Sequence, residues 1–392
     1  MPTNDFTSKL LDLEDADIHS LDIFDSEIHI SFQLKRRTQT CPFCSALTDK
    51  VHDYRVSKIK DSPIQGKKVI WFYKKRRYHC DSCNKHFYEK LPLVAKYCRT
   101  TVRLTKYLLH LMTRRISIHD AAVSLGISDS TANRWLSQVS FPKPKHLPTA
   151  LSIDEFRGNT NGEKFQGILT NPEKHKVFDI LPNRSMVALQ NYFREFKDRK
   201  NVKYFIMDMN RVYRDIARSY FPNATIVIDR FHVVRYVTWA FENVRKRVQK
   251  SMLPEKRKYF KRSRRLLLSH REKLSEENLQ AVEVMLRQSP DLASAYYLKE
   301  TFYDFMKSES RAEAGKRLQT FVFSAQVSGL KEFHACLTML GNWSAYILNS
   351  FDCPYTNGFT EGTNNAIKVL KRTAFGYRNF NNFRNRILLN LS

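Results

Sequence analysis

The sequence of 392 residues predicts a multidomain α+β protein. Three observations lead to this prediction. Residues 1–90 combine segments of alternating apolar residues with two Cys-x-x-Cys pairs, and an amphipathic helical region follows them. The proline-rich stretch "FPKPKHLPTA" then marks a boundary. Beyond it, buried-strand patterns alternate with helical patterns until helices alone remain. A chain of this length can form two or three domains, each with its own core.

The composition indicates a folded protein with a polyanionic partner. Hydrophobic residues make up 42% of the chain, and 66 Lys and Arg against 39 Asp and Glu give a net charge of +27. Such a charge points to nucleic acid or an anionic membrane surface. No apolar run approaches the roughly 18–20 residues that span a bilayer, and the acidic N-terminal region does not resemble an export signal. We therefore expect a nucleic-acid partner, no membrane, and a cytoplasmic location.

The first strand-rich segment carries a metal-binding pattern. Residues 1–37 contain the alternating segment "EIHISFQLKR", and "VIWFYKKRRY" reads as a strand between "CPFCS" and "HCDSC". Each Cys-x-x-Cys turn can direct two thiolates at one ion, so Cys41, Cys44, Cys80 and Cys83 are expected to bind a structural Zn²⁺ in a zinc ribbon. The alternative is four buried free cysteines. Because four sulfurs leave no open coordination position, this ion should stabilise the fold rather than catalyse.

Residues 101–139 read as helices that bind DNA. "TVRLTKYLLHLMTRR" carries an apolar stripe, Ser117 and Ser128 are N-cap candidates, and Gly126 provides the turn between two short helices. This arrangement predicts a helix-turn-helix, with an ordinary three-helix bundle as the alternative. The second helix then offers Thr131, Asn133 and Arg134 to base edges.

After the proline-rich linker, the order of elements predicts a second fold. "TALSIDEF", "EKFQGILTN" and "KHKVFDILP" read as a three-stranded meander, followed by helix, strand ("VKYFIMDMN"), helix and strand ("ATIVIDRFH"). Three antiparallel strands extended through crossover helices form a mixed α/β sheet with the arrangement of the ribonuclease-H-like fold. From about residue 233 to 350 only helical patterns remain, which predicts an all-helical insertion in this domain.

Three acids are predicted to meet in this fold. Asp154 ends the first strand of the sheet, Asp208 ends the fourth, and Glu361 begins a late helix in "YTNGFTEGTNNAIKVLKR". The first and fourth strands are neighbours in such a sheet, and a helix packed across it can present the third carboxylate. Clustered carboxylates suit Mg²⁺ or Mn²⁺, and two such ions can catalyse phosphoryl transfer. Glu155 could replace Asp154 in this role, and Asp229 also ends an apolar strand.

Basic residues beyond Glu361 complete the predicted DNA surface. Asn365, Lys368, Lys371 and Arg372 follow the acid along the same helix, where they can hold the DNA backbone. The helical insertion adds further cations that either contact flanking DNA or form a solvated cationic face: Arg245, Lys246, Arg247, Lys261, Arg262, Arg264 and Arg265.

The segments "SIDEF", "MDMNRVY", "IDRFHVV" and "YTNGFTEGTNNAIKVLKRTAFGYRNFNNFRNRIL" resemble the transposases of the IS-L-three family of bacterial insertion sequences. The resemblance covers nearly the whole chain and implies a zinc finger, a helix-turn-helix and a DDE catalytic domain in this order. It implies that Asp154, Asp208 and Glu361 form the DDE triad. It also implies that Asp229 and His232 form an accessory Asp-x-x-His motif near the active site. Asp229 as the second catalytic acid is the alternative to Asp208.

These expectations divide the chain into six segments. They are N-terminal strands with the zinc ribbon (1–95), helix-turn-helix (96–140), linker (141–149), first part of the ribonuclease-H-like core (150–232), helical insertion (233–350) and second part of the core with the Glu helix (351–392).

The expected function is that of a DDE transposase. It would bind double-stranded DNA at the terminal inverted repeats of its element and in the target, as a homodimer or larger assembly on paired ends. Catalysis would cleave and transfer DNA strands with Mg²⁺ or Mn²⁺, in a bacterial cytoplasm at the nucleoid. Two alternatives are a DNA-binding regulator whose ribonuclease-H-like domain is inactive and a structure-selective nuclease.

Overall fold

The protein is described here by a computed structural model that covers residues 8–9 and 11–391. The described residues form two compact units. One contains the residues up to 141 together with 369–391, and the other contains residues 142–368. No helix in the described part of the chain is long and apolar enough to cross a membrane.

The first unit contains a five-stranded sheet built on apolar alternation. In β2 the side chains of Ile28, Ile30 and Phe32 are buried at every second position, as a strand with one core face requires. Phe32 packs edge-on against Trp71 and stacks on Tyr73 in the core of this sheet. The strands are β1 (Ala16–Ile23), β2 (Glu27–Leu34), β3 (Gln39–Thr40), β4 (Leu47–Thr48), β5 (Val51–Ile64), β6 (Lys67–Cys80) and β7 (Lys85–Tyr88). The order is β1-β2-β6-β5, with β7 paired to β6 and β3 paired to β4 apart from the sheet.

Three capped helices follow the sheet in the first unit. They are α1 (Val102–Met112), α2 (Ile118–Ser124) and α3 (Asp129–Ser137). The side chains of Thr101, Ser117 and Ser128 each accept a hydrogen bond from a backbone N–H of the following turn. Gly126, between α2 and α3, has a φ of +63°, a conformation that disfavours residues with a Cβ. The predicted helix-turn-helix is present.

The second unit contains the predicted mixed sheet. Its strands are β8 (Ala150–Phe156), β9 (Gln166–Asn171), β10 (Lys176–Leu181), β11 (Tyr204–Met207) and β12 (Thr225–Ile228), in the order β10-β9-β8-β11-β12. β8, β9 and β10 are antiparallel neighbours, whereas β11 runs parallel to both β8 and β12. The connecting helices are α4 (Met186–Arg194) and α5 (Arg211–Tyr220). This is the ribonuclease-H-like arrangement, and β8 and β11 are adjacent as predicted.

Helices alone occupy the chain between β12 and the Glu361 segment. One hydrophobic core runs without a break from the sheet residues Phe205 and Ile228 to the insertion residues Phe302 and Phe321. The insertion is therefore packed as part of the second unit. Its helices are α6 (Arg230–Lys250), α7 (Pro254–Arg262), α8 (Arg264–Leu268), α9 (Glu276–Leu286), α10 (Pro290–Met306), α11 (Arg311–Val327) and α12 (His334–Leu348). The last two helices of the chain are α13 (Gly358–Thr373) and α14 (Phe380–Leu391).

Part of the predicted cationic face of the insertion is wrong. Arg245 is only 4% exposed, and its guanidinium donates to Glu242 and Gln249. Arg264 donates to the same Glu242 at 2.6 Å, and Arg247 is bound by two acids of neighbouring segments. These arginines neutralise buried or half-buried carboxylates, so Arg245 cannot contact DNA.

Candidate active site and metal centres

Asp154 and Asp208 come from neighbouring parallel strands. Ser152 of β8 pairs with Ile206 of β11. Asp154 follows two residues after Ser152, and Asp208 follows two residues after Ile206. Parallel strands in register place equivalent side chains on the same side, about 4.8 Å apart between backbones. The sheet therefore brings the two carboxyl groups together, as the sequence predicted.

The first turns of α13 are anchored on the same sheet by buried polar bonds. Ser152 Oγ donates to Asn357 Oδ1, and the hydroxyls of Thr170 and Thr360 are 2.7 Å apart. One turn farther along α13, Asn364 Nδ2 donates to Asp154 Oδ2 at 2.8 Å. These contacts hold the helix across β8 and β9, so Glu361 is presented on the side of the sheet that carries Asp154.

Sequence reasoning missed these anchoring residues. Asn357, Thr360 and Asn364 are at most 7% exposed. Their spacing of three and then four residues places them on one face of a helix, which is the available signal. The sequence predicts a role in this segment only for Glu361, Asn365 and the basic residues after them.

A third group of ligands adjoins the two strand acids. Asp229 follows β12, accepts a hydrogen bond from the Phe231 N–H as the N-cap of α6, and lies 3.9 Å from His232 Nε2. Possible ligand atoms of Asp229, His232 and Glu361 all lie within 4.8 Å of one another. The structure therefore places the Asp-x-x-His pair beside the Glu helix.

Burial raises the pKa of every acid in this cluster, and repulsion by neighbouring acids adds to the shift for Asp154, Asp208 and Glu361. Burial is the main cause for Asp154, whose pKa rises to about 6, and for Asp208, whose pKa rises to about 7. The charges of Glu155 and Asp154 add to the effect on Asp208. Burial also raises the pKa of Asp229 and of Glu361, and the Asp229 charge raises that of Glu361 further. His232 opposes each of these shifts.

The donor set fits a divalent cation that prefers oxygen ligands. Asp208 Oδ1, Asp229 Oδ2 and Asn364 Oδ1 are buried polar atoms without a hydrogen-bond partner in the protein. Buried acceptors of this kind normally have a partner, and a cation can supply it. Repulsion among the carboxylates indicates the same requirement for positive charge.

Glu155 is tied to groups other than the cluster. Its carboxylate accepts hydrogen bonds from Arg184 and, at 2.8 Å, from the Tyr213 hydroxyl. Asp154 instead bonds to Asn364 of the Glu helix. Of the two adjacent acids in "IDEF", Asp154 is thus the one whose carboxylate bonds to α13, whereas Glu155 accepts from Asn364 only through its backbone carbonyl, at 3.5 Å.

Four cysteines of the first unit meet as predicted. The Sγ atoms of Cys41 and Cys83 are 3.6 Å apart, and those of Cys44 and Cys80 are 3.5 Å apart. Tetrahedral zinc with Zn–S bonds of about 2.3 Å requires sulfur separations of about 3.8 Å. Burial raises the pKa of the Cys41 thiol, but backbone N–H groups of Phe43 and Cys44 lower it to a net value of about 7. The cluster fits a structural Zn²⁺.

The predicted DNA contacts lie at accessible positions. On α3, Asn133 and Arg134 are exposed, whereas Thr131 is half-buried and its hydroxyl accepts from Ser128. On α13, Asn365 and Lys368 are exposed, and Lys368 Nζ donates to Asn365 Oδ1 at 3.3 Å. Farther along the same helix, Lys371 is half-buried and Arg372 is exposed.

Comparison with known protein families gives three matches along the chain. Residues 151–387 match a DDE-type family of ISL3 elements described as "Transposase". Residues 37–83 match the "zinc-finger of transposase IS204/IS1001/IS1096/IS1165", and residues 89–140 match the "Helix-turn-helix domain of transposase family ISL3". These ranges contain the acid cluster, the four cysteines and helices α1–α3 respectively.

Two known proteins are similar to the chain. The "Transposase for insertion sequence element IS1001" of Bordetella parapertussis is 26% identical over 350 residues, which are 87% of this chain and 86% of that protein. An "ATP-dependent protease" of Lactococcus lactis subsp. lactis is 31% identical over 108 residues, 28% of this chain and 33% of that protein. The second match covers too little of either chain to indicate a shared activity.

Proposed function

Because the chain belongs to the ISL3 family of DDE transposases, we propose that it cleaves and joins DNA strands at the terminal inverted repeats of an insertion sequence. Asp154 and Asp208 follow the neighbouring strands β8 and β11, Asn364 of the Glu helix α13 bonds to Asp154, and Glu361 lies with Asp229 and His232. That convergence is the observation that carries the proposal. Uncatalysed phosphate-ester cleavage is among the slowest reactions known, so a basic surface without these acids would bind DNA and leave it intact.

Asp154, Asp208 and Glu361 are the proposed catalytic acids. Their carboxylates would hold two Mg²⁺ or Mn²⁺ ions, which activate the attacking hydroxyl and stabilise the leaving oxygen. Asn364 fixes the orientation of Asp154 through its 2.8 Å hydrogen bond. Asp229 and His232 are the proposed accessory pair.

The proposed DNA partners are the terminal repeats and the target duplex. Thr131, Asn133 and Arg134 of α3 would read base edges, and the Cys41, Cys44, Cys80 and Cys83 cluster would hold Zn²⁺ that stabilises the adjoining module. Asn365, Lys368, Lys371 and Arg372 of α13 would hold the phosphate backbone. Pairing two element ends requires at least a homodimer in this proposal, and the bacterial DNA substrate places the reaction in the cytoplasm at the nucleoid.

We keep the six segments as the proposed domain boundaries and divide the last one further. The segment 351–392 carries Glu361, yet residues 369–391 belong to the compact unit that contains the helix-turn-helix. In that unit Arg386 of α14 donates to the carbonyls of Met112, Arg114 and Ile116. We propose that 351–368 serves the catalytic core and that 369–391 supports the DNA-reading helices.

A cleavage and joining assay tests the proposal. The substrate is a labelled element end with a target plasmid and Mg²⁺, and binding is measured separately on the same end. Glu361→Gln should reduce cleavage and joining by about 1,000-fold or more, because it removes a ligand worth several kcal/mol, while binding stays within about twofold. Glu277→Gln, an exposed acid at the start of α9, is the matched control. Binding with no cleavage by the wild type would favour an inactive regulator, and cleavage without joining would favour a nuclease.

A second comparison distinguishes the two candidates for the middle acid. Asp208→Asn should abolish cleavage, because it removes the acid that β11 places next to Asp154. Asp229→Asn should lower the rate and leave measurable product, because it changes an accessory ligand. The reverse ranking of these two variants would make Asp229 the catalytic acid.

A further inference from the structure

A groove leads from the acid cluster along the surface of α6. It has a volume of about 500 Å³. Asp208 and His232 line one end, and Arg235, Tyr236, Trp239 and Arg264 line the remainder. A cavity of this size matches sites for individual small molecules, so it can hold single nucleotides but not a duplex turn.

Trp239 differs from the other tryptophans of the chain. Its exposed fraction is 62%, whereas Trp71, Trp135 and Trp343 are at most 8% exposed. Exposing an indole to water sacrifices the burial of a large apolar surface, and tryptophan is highly buried on average. Trp239 also points into a groove that ends at the candidate active site. Its position indicates an aromatic partner that covers the ring when DNA is bound.

The helix geometry matches the spacing of nucleotides. Arg235, Tyr236 and Trp239 lie three, four and seven residues after His232, so the four residues share one face of α6. A rise of 1.5 Å per residue places Trp239 about 10 Å along the helix from His232. That distance corresponds to about three stacked nucleotides at 3.4 Å each. A strand whose phosphate lies at the acids can thus reach Trp239 within a few bases.

The charge of the groove suits a DNA strand. Arg235 is exposed, and Arg264, 56% exposed, neutralises Glu242 from the solvent side. The carboxylate of Glu242 also receives the buried guanidinium of Arg245 at 2.8 Å. Two arginines thus surround the acid in the groove wall, so it does not repel phosphate.

We propose that the groove binds an unpaired stretch of the DNA strand beside the cleavage site and that Trp239 stacks on one of its bases. The inference rests on the proposed transposase function and adds that part of the DNA substrate is unpaired. Bases within a duplex have both faces covered by their neighbours, so they cannot stack on Trp239. Tyr236, 37% exposed on the same helix face, provides a second ring for the same strand. Trp239 is a positioning residue in this account, since it does not touch the reacting phosphate.

Two DNA probes test the proposal with the full-length protein. Both are labelled 30-base-pair duplexes ending in the terminal repeat, one blunt and one with three unpaired thymidines at the 3′ end. Binding is measured without added magnesium, so that no strand is cut. The wild type should bind the unpaired end at least about fivefold more tightly, which is the low end of the effect of one base stack.

The variants identify the residue responsible. Trp239→Ala should lose this preference and keep the affinity for the blunt duplex, whereas Trp239→Phe should retain most of it through the smaller ring. Phe323→Ala is the matched control, because Phe323 is 67% exposed on α11 and does not line the groove. Binding of the unpaired end should quench the tryptophan fluorescence of the wild type. This quenching should be absent in Trp239→Phe.

Each other outcome overturns the proposal. Equal binding of the two probes by the wild type, or a preference that survives Trp239→Ala, would refute the stacking role and leave the proposed transposase function intact. Failure to bind either probe would contradict the transposase function itself. A change of oligomeric state in Trp239→Ala, measured by light scattering, would identify the patch as a contact between copies of the chain.

Discussion

At the residue scale, the carboxyl of Asp208 shows the consequence of gathering acids in a buried site. Burial and the charges of Glu155 and Asp154 hold its pKa at about 7, far above the usual value of 3.8. In the metal-free protein this carboxyl therefore ionises far less readily than an ordinary aspartate. Repulsion among the buried carboxylates would attract divalent cations. The same repulsion destabilises the folded protein when no metal is bound.

We predict that Asp208→Asn makes the metal-free protein more stable above pH 7. Because the folded pKa is raised, the carboxyl's contribution to stability is complete below about pH 4 and is lost as the pH rises through about 7. The asparagine cannot ionise and does not lose this contribution. At pH 8 the variant should melt at a higher temperature than the wild type, by about 2–4 °C for each kcal/mol of unfolding free energy gained. Near pH 4 the two proteins should melt at the same temperature.

The measurement is a thermal melt at several pH values without added magnesium and without chelator, since a chelator would also remove zinc. Asp25→Asn, the same change at an exposed carboxyl outside the cluster, is the control. A variant that is less stable than the wild type at pH 8 would show that Asp208 makes a favourable contact in the empty site.

At the element scale, the zinc cluster joins strands that have little core of their own. Cys41 and Cys44 flank a turn between the two-residue strands β3 and β4, and Cys80 and Cys83 flank the turn between β6 and β7. Structural zinc contributes about 10–16 kcal/mol, comparable to the whole stability of a domain. We therefore expect the local fold to depend on a bound zinc ion.

We predict that the Cys41→Ser, Cys44→Ser double variant loses its zinc and the order of this region. Hydrogen exchange should become fast in residues 39–50 and 78–88, and metal analysis should show no bound zinc. Cys98→Ser, at an exposed cysteine outside the cluster, is the control. Retention of one zinc ion and of slow exchange in the double variant would contradict the assignment.

A second element-scale feature is the support of the helix-turn-helix by α14. The guanidinium of Arg386, only 4% exposed, donates to three carbonyls near the end of α1 and the start of α2. Removing it leaves those acceptors unpaired, at a cost of about 1–3 kcal/mol for each buried group. Helix α14 therefore stabilises the helix-turn-helix.

We predict that Arg386→Ala destabilises α1 and α2 without disturbing the ribonuclease-H-like sheet. Hydrogen exchange should accelerate at least tenfold in residues 102–125 and remain unchanged in β8 and β11, because a loss of 1.4 kcal/mol corresponds to a factor of ten. Arg378→Ala, an exposed arginine before the same helix, should change neither region. Unchanged exchange in α1 would show that its carbonyls do not depend on Arg386.

The physical basis of each element decides how much of it was predictable from sequence. Alternation of Ile28, Ile30 and Phe32 predicts β2, and the strand and helix order predicts the sheet and the meeting of Asp154 with Asp208. Local periodicity does not reveal which buried polar groups form hydrogen bonds when they are far apart in sequence. Asn364 and Asp154, which are 210 positions apart, are such a pair. For the same reason the sequence assigns Arg245 to a cationic face that either contacts DNA or is solvated, although a buried Glu242 binds it.

At the scale of the whole molecule, the net charge of +27 favours binding to any DNA. Such binding releases counterions from the duplex, so the logarithm of affinity falls with the logarithm of salt by about 0.9 per neutralised phosphate. The charge explains affinity and its dependence on salt. It does not account for the proposed cleavage, which we assign to a few carboxyl groups of opposite sign.

We predict a salt slope of magnitude about 3 or more for repeat binding, since three of the proposed phosphate-contacting residues are cationic. Lys368→Ala and Arg372→Ala should each reduce the slope by about 0.9, measured by fluorescence anisotropy between 50 and 200 mM salt. Asn365→Ala, an uncharged neighbour on α13, should leave the slope unchanged. A slope that neither basic substitution alters would remove this helix from the phosphate contacts.

Anomalous diffraction from Mn²⁺ in crystals of the protein with its terminal repeat tests the central claim most directly, because it locates the ions among the carboxylates. We expect manganese peaks bound by Asp154, Asp208 and Glu361, with Asp229 and His232 beside them. Manganese absent from this cluster, or bound without contact to Asp154 and Asp208, would contradict the account.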